Sequence, residues 1–191
     1  LLKFKESKKF VIAYGDNYTQ GAYYVASAAD KVYVNPSGMI DWHGVASQPM
    51  FFKELLEKVG VKMQVFRVGT YKSAVEPFTA TEMSEANREQ VSSYITDIWQ
   101  GICQEVSASR KIAVDTLNQY ANDYATLWEH NKYIETHLAD SLFYIDQLRG
   151  ELRRMTGRDN FTLVTPTELA TNEKSLNSKN EIAVYYAYGD I

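Results

Sequence analysis

Lys72 is the side chain of this 191-residue chain whose surroundings best suit chemistry. It stands in the run Phe66-Arg67-Val68-Gly69-Thr70-Tyr71-Lys72-Ser73-Ala74-Val75-Glu76-Pro77-Phe78, past the end of an expected strand and a Gly turn, among small or apolar neighbours. A lysine with the ordinary pKa of about 10.4 is protonated near neutral pH and cannot accept a proton; bringing it to roughly 7 or 8 requires burial or a nearby positive charge. A position of this kind can desolvate a side chain, so Lys72 is a candidate general base. The same spacing also suits a surface lysine paired with Glu76 at i+4. Local sequence leaves both readings open.

Other reactive groups offer less. Of the three histidines, His130 and His137 are seven apart and share a helix face only if the helix is unbroken, with no Cys or close third ligand beside them. His43, in Ile40-Asp41-Trp42-His43-Gly44, follows an acid and an aromatic and precedes a glycine, which suits a structural turn or, less simply, a direct catalytic role. The single cysteine, Cys103, cannot form an internal disulfide and is expected in the core. There is no Gly-x-Ser-x-Gly elbow, Ser-x-x-Lys pair, His-Glu-x-x-His zinc motif, phosphate loop or dinucleotide fingerprint. Two sequons, at Asn17 and Asn160, matter only in a glycosylating pathway.

The elements that must position these residues follow from periodicity. Residues 8–16 read as a buried strand ending at Gly15-Asp16, residues 19–29 as a small-residue helix, and residues 31–35 as a half-buried strand, with another at 39–42. A helix is expected over 48–59, ended by Gly60, and a strand over 61–68. The longest helix is expected over 84–110, with Ser84 as N-cap and Val91, Ile95, Ile98, Ile102 and Val106 as its buried stripe. Helices are expected again over 114–124, 130–138 and 145–155, the last with Arg149, Arg153 and Arg154 on a solvated face. Residues 171–180 are polar and aperiodic, as a linker or exposed loop would be, and 182–188 form a strand-like run. Alternating strands and helices followed by a helical segment argue for an α/β domain with appended helices.

Composition sets the outer bounds. Hydrophobic residues are 45% and charged residues 23%, which are ordinary globular values, and a net charge of −4 gives no global positive field, so nucleic-acid partners are not expected. No stretch approaches the roughly 18 to 20 apolar residues that cross a bilayer. The chain begins Leu1-Leu2-Lys3-Phe4, without Met, and is expected to be a fragment or a processed product.

Gly15-Asp16-Asn17-Tyr18-Thr19-Gln20-Gly21-Ala22-Tyr23-Tyr24, then residues 26–36, then Ile40-Asp41-Trp42-His43-Gly44, and then residues 67–78 resemble, in order, the N-terminal half of the long, two-half bacterial signal peptide peptidases of the protease IV type. The resemblance implies a crotonase/Clp-protease-like fold of repeated strand-strand-helix units with appended helices. It implies that residues 1–170 are an N-terminal-half domain, incomplete upstream, that 171–180 is a linker and that 181–191 opens an absent second half. It makes Lys72 the general base of a Ser-Lys dyad whose serine lies outside this chain; where the related half carries the serine, this one carries Gln20, whose amide is no acyl-forming nucleophile. Thr19 and Ser73 are the local hydroxyls, and neither is a persuasive replacement. No cofactor or metal is implied. The implied substrates are cleaved signal peptides or other apolar peptides, the implied assembly a homo-oligomeric ring, and the implied location the periplasmic side of the bacterial inner membrane, held by segments absent here. The isolated chain is then expected to be inactive. The alternatives are a non-catalytic scaffold or peptide-binding half and, further off, a crotonase-like acyl-CoA enzyme for which no site residues stand out.

Overall fold

The computed structural model describes residues 1–66, 69, 72–165 and 167–168. After a short helix α1 (Leu2–Lys5), the buried strand expected over residues 8–16 forms only as β1 (Ile12–Gly15), which is half-buried, with Phe10 left outside it and exposed. Helix α2 (Gln20–Ala26) begins at Thr19, whose Oγ1 accepts from the Ala22 amide at 3.2 Å and satisfies one of the donors a helix start leaves open. The chain returns as β2 (Lys31–Val34), parallel to β1, with Ile12 opposite Lys31 and Gly15 opposite Val34. Two parallel strands need such a crossover, and a helix is the usual way to make it.

Past β2 come α3 (Lys53–Lys58), α4 (Glu76–Thr79), α5 (Glu85–Arg110) and α6 (Val114–Asn122), then a 3-10 turn at Ala125–Leu127, α7 (His130–Glu135), β3 (Ser141–Leu142) and α8 (Ile145–Thr156). β3 adds to the free side of β2, Tyr33 opposite Ser141, giving the order β1-β2-β3 with every pairing parallel. The result is a mixed α/β fold with a small parallel sheet. By internal packing the chain forms two compact units, one of Leu1–Leu148 and one beginning at Arg149. In the second, Arg154 pairs with Glu151 one helical turn away, and Thr165 and Glu168 bond reciprocally through side chain and backbone.

The core of the first unit is built on aromatics whose polar ends are satisfied. Tyr23 is fully buried and its hydroxyl donates to the Leu138 carbonyl at 2.8 Å; Trp42 is fully buried, and its indole N–H donates to the Leu117 carbonyl at 2.9 Å. Their rings meet edge to face at 5.7 Å, and Trp42 packs on Trp99 at 4.9 Å. Burial raises both the Tyr18 and Tyr23 phenols well above their ordinary range.

Several expectations hold only in part. The strand expected over 39–42 is reduced to a single bridge, Tyr18 to Ile40, because Trp42 turns into the core instead of pairing. The helix expected over 48–59 is confined to Lys53–Lys58, where Leu55 remains 58% exposed; so short a helix forms weakly without a packed face. The strand expected over 61–68 does not form in its described part, 61–66, where no neighbouring strand pairs the backbone and Phe66 is 95% exposed. α5 begins after Ser84 as expected, yet its buried stripe takes in Trp99 and Cys103 and leaves Ile98 outside. α7 stops at Glu135, so His137, with φ of 61°, lies beyond it, and His130 and His137 do not share a continuous helix face. Cys103 is buried, as expected. The linker at 171–180 and the strand at 182–188 fall outside the described residues.

Candidate functional site

In open parallel α/β sheets, ligand sites form beyond the carboxyl ends of the strands, and β1 ends here at Gly15, leading directly into the start of α2. Gln20 is the first residue of that helix. Its amide nitrogen donates to the Gly44 carbonyl at 2.9 Å, and its amide oxygen accepts from the backbone N–H groups of His43 at 3.1 Å and Gly44 at 2.9 Å. Gly44 has φ of +91°, a conformation that costs a side-chain-bearing residue dearly, so the turn that presents these groups requires glycine.

The turn is fixed from below. Trp42 is anchored in the core, and its backbone N–H donates to Thr126 Oγ1 at 3.0 Å, while that hydroxyl donates to Asp41 Oδ1 at 2.9 Å. Asp41 Oδ1 also faces His43 Nδ1 at 2.7 Å. A carboxylate only accepts, so Nδ1 carries the hydrogen of this pair. His43 is half exposed and borders an open cleft of about 390 Å³ with Gly44, Trp99 and Asn118. An imidazole oriented by a carboxylate resembles part of a hydrolytic constellation, but the side chain at the neighbouring helix start is Gln20, which has no nucleophilic oxygen. Thr19 spends its hydroxyl as the cap of α2.

Lys72 lies past Gly69, where φ is +108° and an added Cβ would come within 4.0 Å of Lys72 Cγ. Arg67, Val68, Thr70 and Tyr71 fall outside the described residues. The Lys72 side chain is exposed among the described residues. The side chain that is buried in this region is Glu76, 4% exposed. Its carboxylate accepts from Ser84 Oγ at 2.6 Å, the Ser84 amide at 3.1 Å and Asn87 Nδ2 at 2.9 Å. In the sequence Glu76 suits a surface pair with Lys72 at i+4; the structure buries it instead, next to Pro77 and eight residues ahead of the Ser84 cap.

Among the described residues no group of three or more His, Cys, Asp or Glu side chains is placed to hold a metal. Among the same residues no helix is long and apolar enough to cross a membrane.

Comparison with known proteins places these features in a family. Residues 3–157 match the description of Peptidase family S49. The chain is 49% identical over 117 residues to "Protease 4" of Salmonella typhi, covering 61% of this chain and 19% of that protein. It is 44% identical over 121 residues to "Protease 4" of Haemophilus influenzae, covering 63% of this chain and 20% of that protein. With "Serine protease SPPA, chloroplastic" of Arabidopsis thaliana it shares 28% identity over 157 residues, covering 82% of this chain and 23% of that protein. The chain therefore spans about a fifth of the length of these relatives. Matched along most of its length, from α1 through α8, the chain belongs to peptidase family S49.

Proposed function

We propose that this chain supplies the lysine general base of a serine-lysine endopeptidase, with Lys72 as that base and the serine on a segment outside the chain. The observation that carries the reading is the placement of Lys72 just past the Gly69 turn and just before the pinned Glu76, in a chain of a peptidase family. Neutral Lys72 takes the hydroxyl proton of the serine, the serine oxygen attacks the peptide carbonyl, and the lysinium returns the proton to the leaving amine as the peptide C–N bond breaks. Water then releases the acyl group by the same exchange in reverse. Because the serine lies outside it, the isolated chain is inactive in this reading.

The same proposal carries the finer statements. Residues 1–170 act as one half of a two-half enzyme of the crotonase/Clp-protease type. The substrates are cleaved signal peptides and other apolar peptides, the assembly is a ring of identical subunits, and the active domain lies on the periplasmic side of a bacterial inner membrane. Relatives named as proteases support this direction.

Replacing Lys72 by Ala or Arg in the full-length protein tests it: peptide hydrolysis is lost while the melting temperature is retained. A Lys72→Ala protein that still hydrolyses peptides refutes the assignment. The second reading, a non-catalytic scaffold or peptide-binding half, draws on Gln20, whose amide oxygen and nitrogen both bond to the backbone of a turn. It requires that the isolated chain bind apolar peptides and that full-length activity ignore Lys72.

A further inference from the structure

The buried residue of α4 is not apolar but Glu76, a carboxylate. Removing a carboxylate from water costs several kcal/mol unless donors replace the lost hydration. Three donors come from the start of α5: the Ser84 amide, the Ser84 hydroxyl and the Asn87 amide side chain. Ser84 Oγ at once accepts from the Asn87 backbone N–H at 3.2 Å, so cap and carboxylate form one connected unit at the positive end of a 26-residue helix. That helix is fixed to the core through Cys103 and Val106, both fully buried.

The apolar packing nearby is slight by comparison. Phe78 of α4 stacks on Phe52 at 6.2 Å yet is 41% exposed, and Leu55 and Phe66 are more exposed still. The polar clamp is thus the buried attachment of α4 to the core-bound helix. Upstream, the Glu76 N–H donates to the Ser73 carbonyl at 2.9 Å, which ties the turn after Lys72 to the clamped residue.

We infer that Glu76 is a positioning residue for the peptidase reaction: by fastening the Lys72 turn to the Ser84-Asn87 start of α5, it holds the lysine amine where it must meet a hydroxyl. This rests on the reading of Lys72 as the base. The experiment compares Glu76→Ala, Glu76→Gln and Asn87→Ala in the full-length protein, with steady-state hydrolysis of an apolar peptide anilide and a melting temperature for each. Glu76→Ala lowers kcat by about tenfold or more with KM within about twofold, since a displacement of the order of 1 Å in a reacting group has an effect of that size. Glu76→Gln recovers most of kcat, because its carbonyl oxygen still accepts from Ser84 and Asn87. Asn87→Ala, which keeps the cap and therefore the fold, gives an intermediate loss. A Glu76→Ala protein with lowered melting temperature but unchanged kcat overturns the inference, as does a Gln variant as impaired as the Ala variant. If Glu76→Ala does not fold, an unchanged kcat in Asn87→Ala overturns it instead. An active Lys72→Ala protein sinks the assignment of the base; an inactive one beside a fully active Glu76→Ala protein sinks the positioning role alone.

Discussion

The Gln20 side chain and the Gly44 backbone exchange two hydrogen bonds, Nε2 to the carbonyl and N–H to Oε1, each at 2.9 Å. With the third bond from the His43 N–H, the amide closes the Asp41-to-Gly44 turn onto the first turn of α2. Gln20→Ala removes all of these, and a typical net loss for such bonds is about 1 to 3 kcal/mol in total because the turn retains some access to water. Gln20→Glu keeps the acceptor for both N–H groups, as a charged and stronger one, but sets its second oxygen against the Gly44 carbonyl, so it recovers only part of what Gln20→Ala loses. Urea denaturation of the two variants gives the order directly, and equal midpoints would contradict the latch.

Gly38 is required by space. A Cβ built there would stand 1.7 Å from the Asp16 carbonyl oxygen and 2.8 Å from its carbon, both backbone atoms. The approach is close because the segment after Gly38 is bound to the loop before α2, Tyr18 N–H donating to the Met39 carbonyl at 2.9 Å and Met39 N–H to Asn17 Oδ1 at 3.0 Å. Gly38→Ala must push that loop aside and loosen the approach to Gln20. A cost of at least about 3 kcal/mol is expected, at the upper end for overpacking because no flexible side chain is available to yield. A shift in unfolding free energy below about 1 kcal/mol would show that the loop relaxes freely.

The elements legible in the sequence are those with a long or local signal. α5 announces itself by a capping serine and threefold and fourfold apolar spacing, and β1-α2-β2 by a switch from apolar run to small residues to alternation. Spacing alone could not choose between Ile98 and Trp99, one residue apart on the helix, because that choice depends on Trp42 waiting in the core. β3 has two residues and no pattern; it exists because Val32 and Val34 offer carbonyls to the Asp140 and Phe143 N–H groups at 2.7 and 3.0 Å. Lys72 stands out in the sequence by type and context as a candidate base, and Gln20 stands out through the resemblance, at the place where the related half carries a serine. The burial of Glu76 does not stand out, since a carboxylate four residues from a lysine looks like a surface pair until the partners eight and eleven residues on are brought to it.

Cys103 is fully buried, and burial pushes its thiol up to about 11 from the usual 9.0. The thiolate is the reactive form, so at pH 8 only about one molecule in a thousand carries it, and that one is shielded. A disulfide reagent such as DTNB is expected to leave the native chain unmodified at pH 8 and to react fully in denaturant. Rapid modification under native conditions would mean that α5 does not hold Cys103 against the core.

Asp140 joins β3 to the rest of the sheet through charge. Its Oδ2 accepts from the Val32 N–H and from the Arg110 guanidinium, each at 2.8 Å, and Lys31 Nζ stands 3.4 Å from Oδ1. Arg110 also clasps the His137 carbonyl through Nε at 3.0 Å and its other terminal nitrogen at 2.8 Å. Partial burial acts to raise the Asp140 carboxyl, but the Val32 N–H, Arg110 and Lys31 outweigh it and hold the pKa below its ordinary 3.8. A carboxyl depressed in the native state contributes stability that is fully present above the unfolded value, near pH 4, and that fades as pH falls through the lower native value. Asp140→Asn should therefore cost about 2 kcal/mol at pH 7, through a weaker acceptor and an Arg110 left without its counter-charge. The gap between wild type and variant should then narrow as pH is lowered below 4. Urea midpoints from pH 7 to pH 3 measure it, and a gap that stays constant over that range would show that the carboxylate's charge contributes nothing to holding β3 in place.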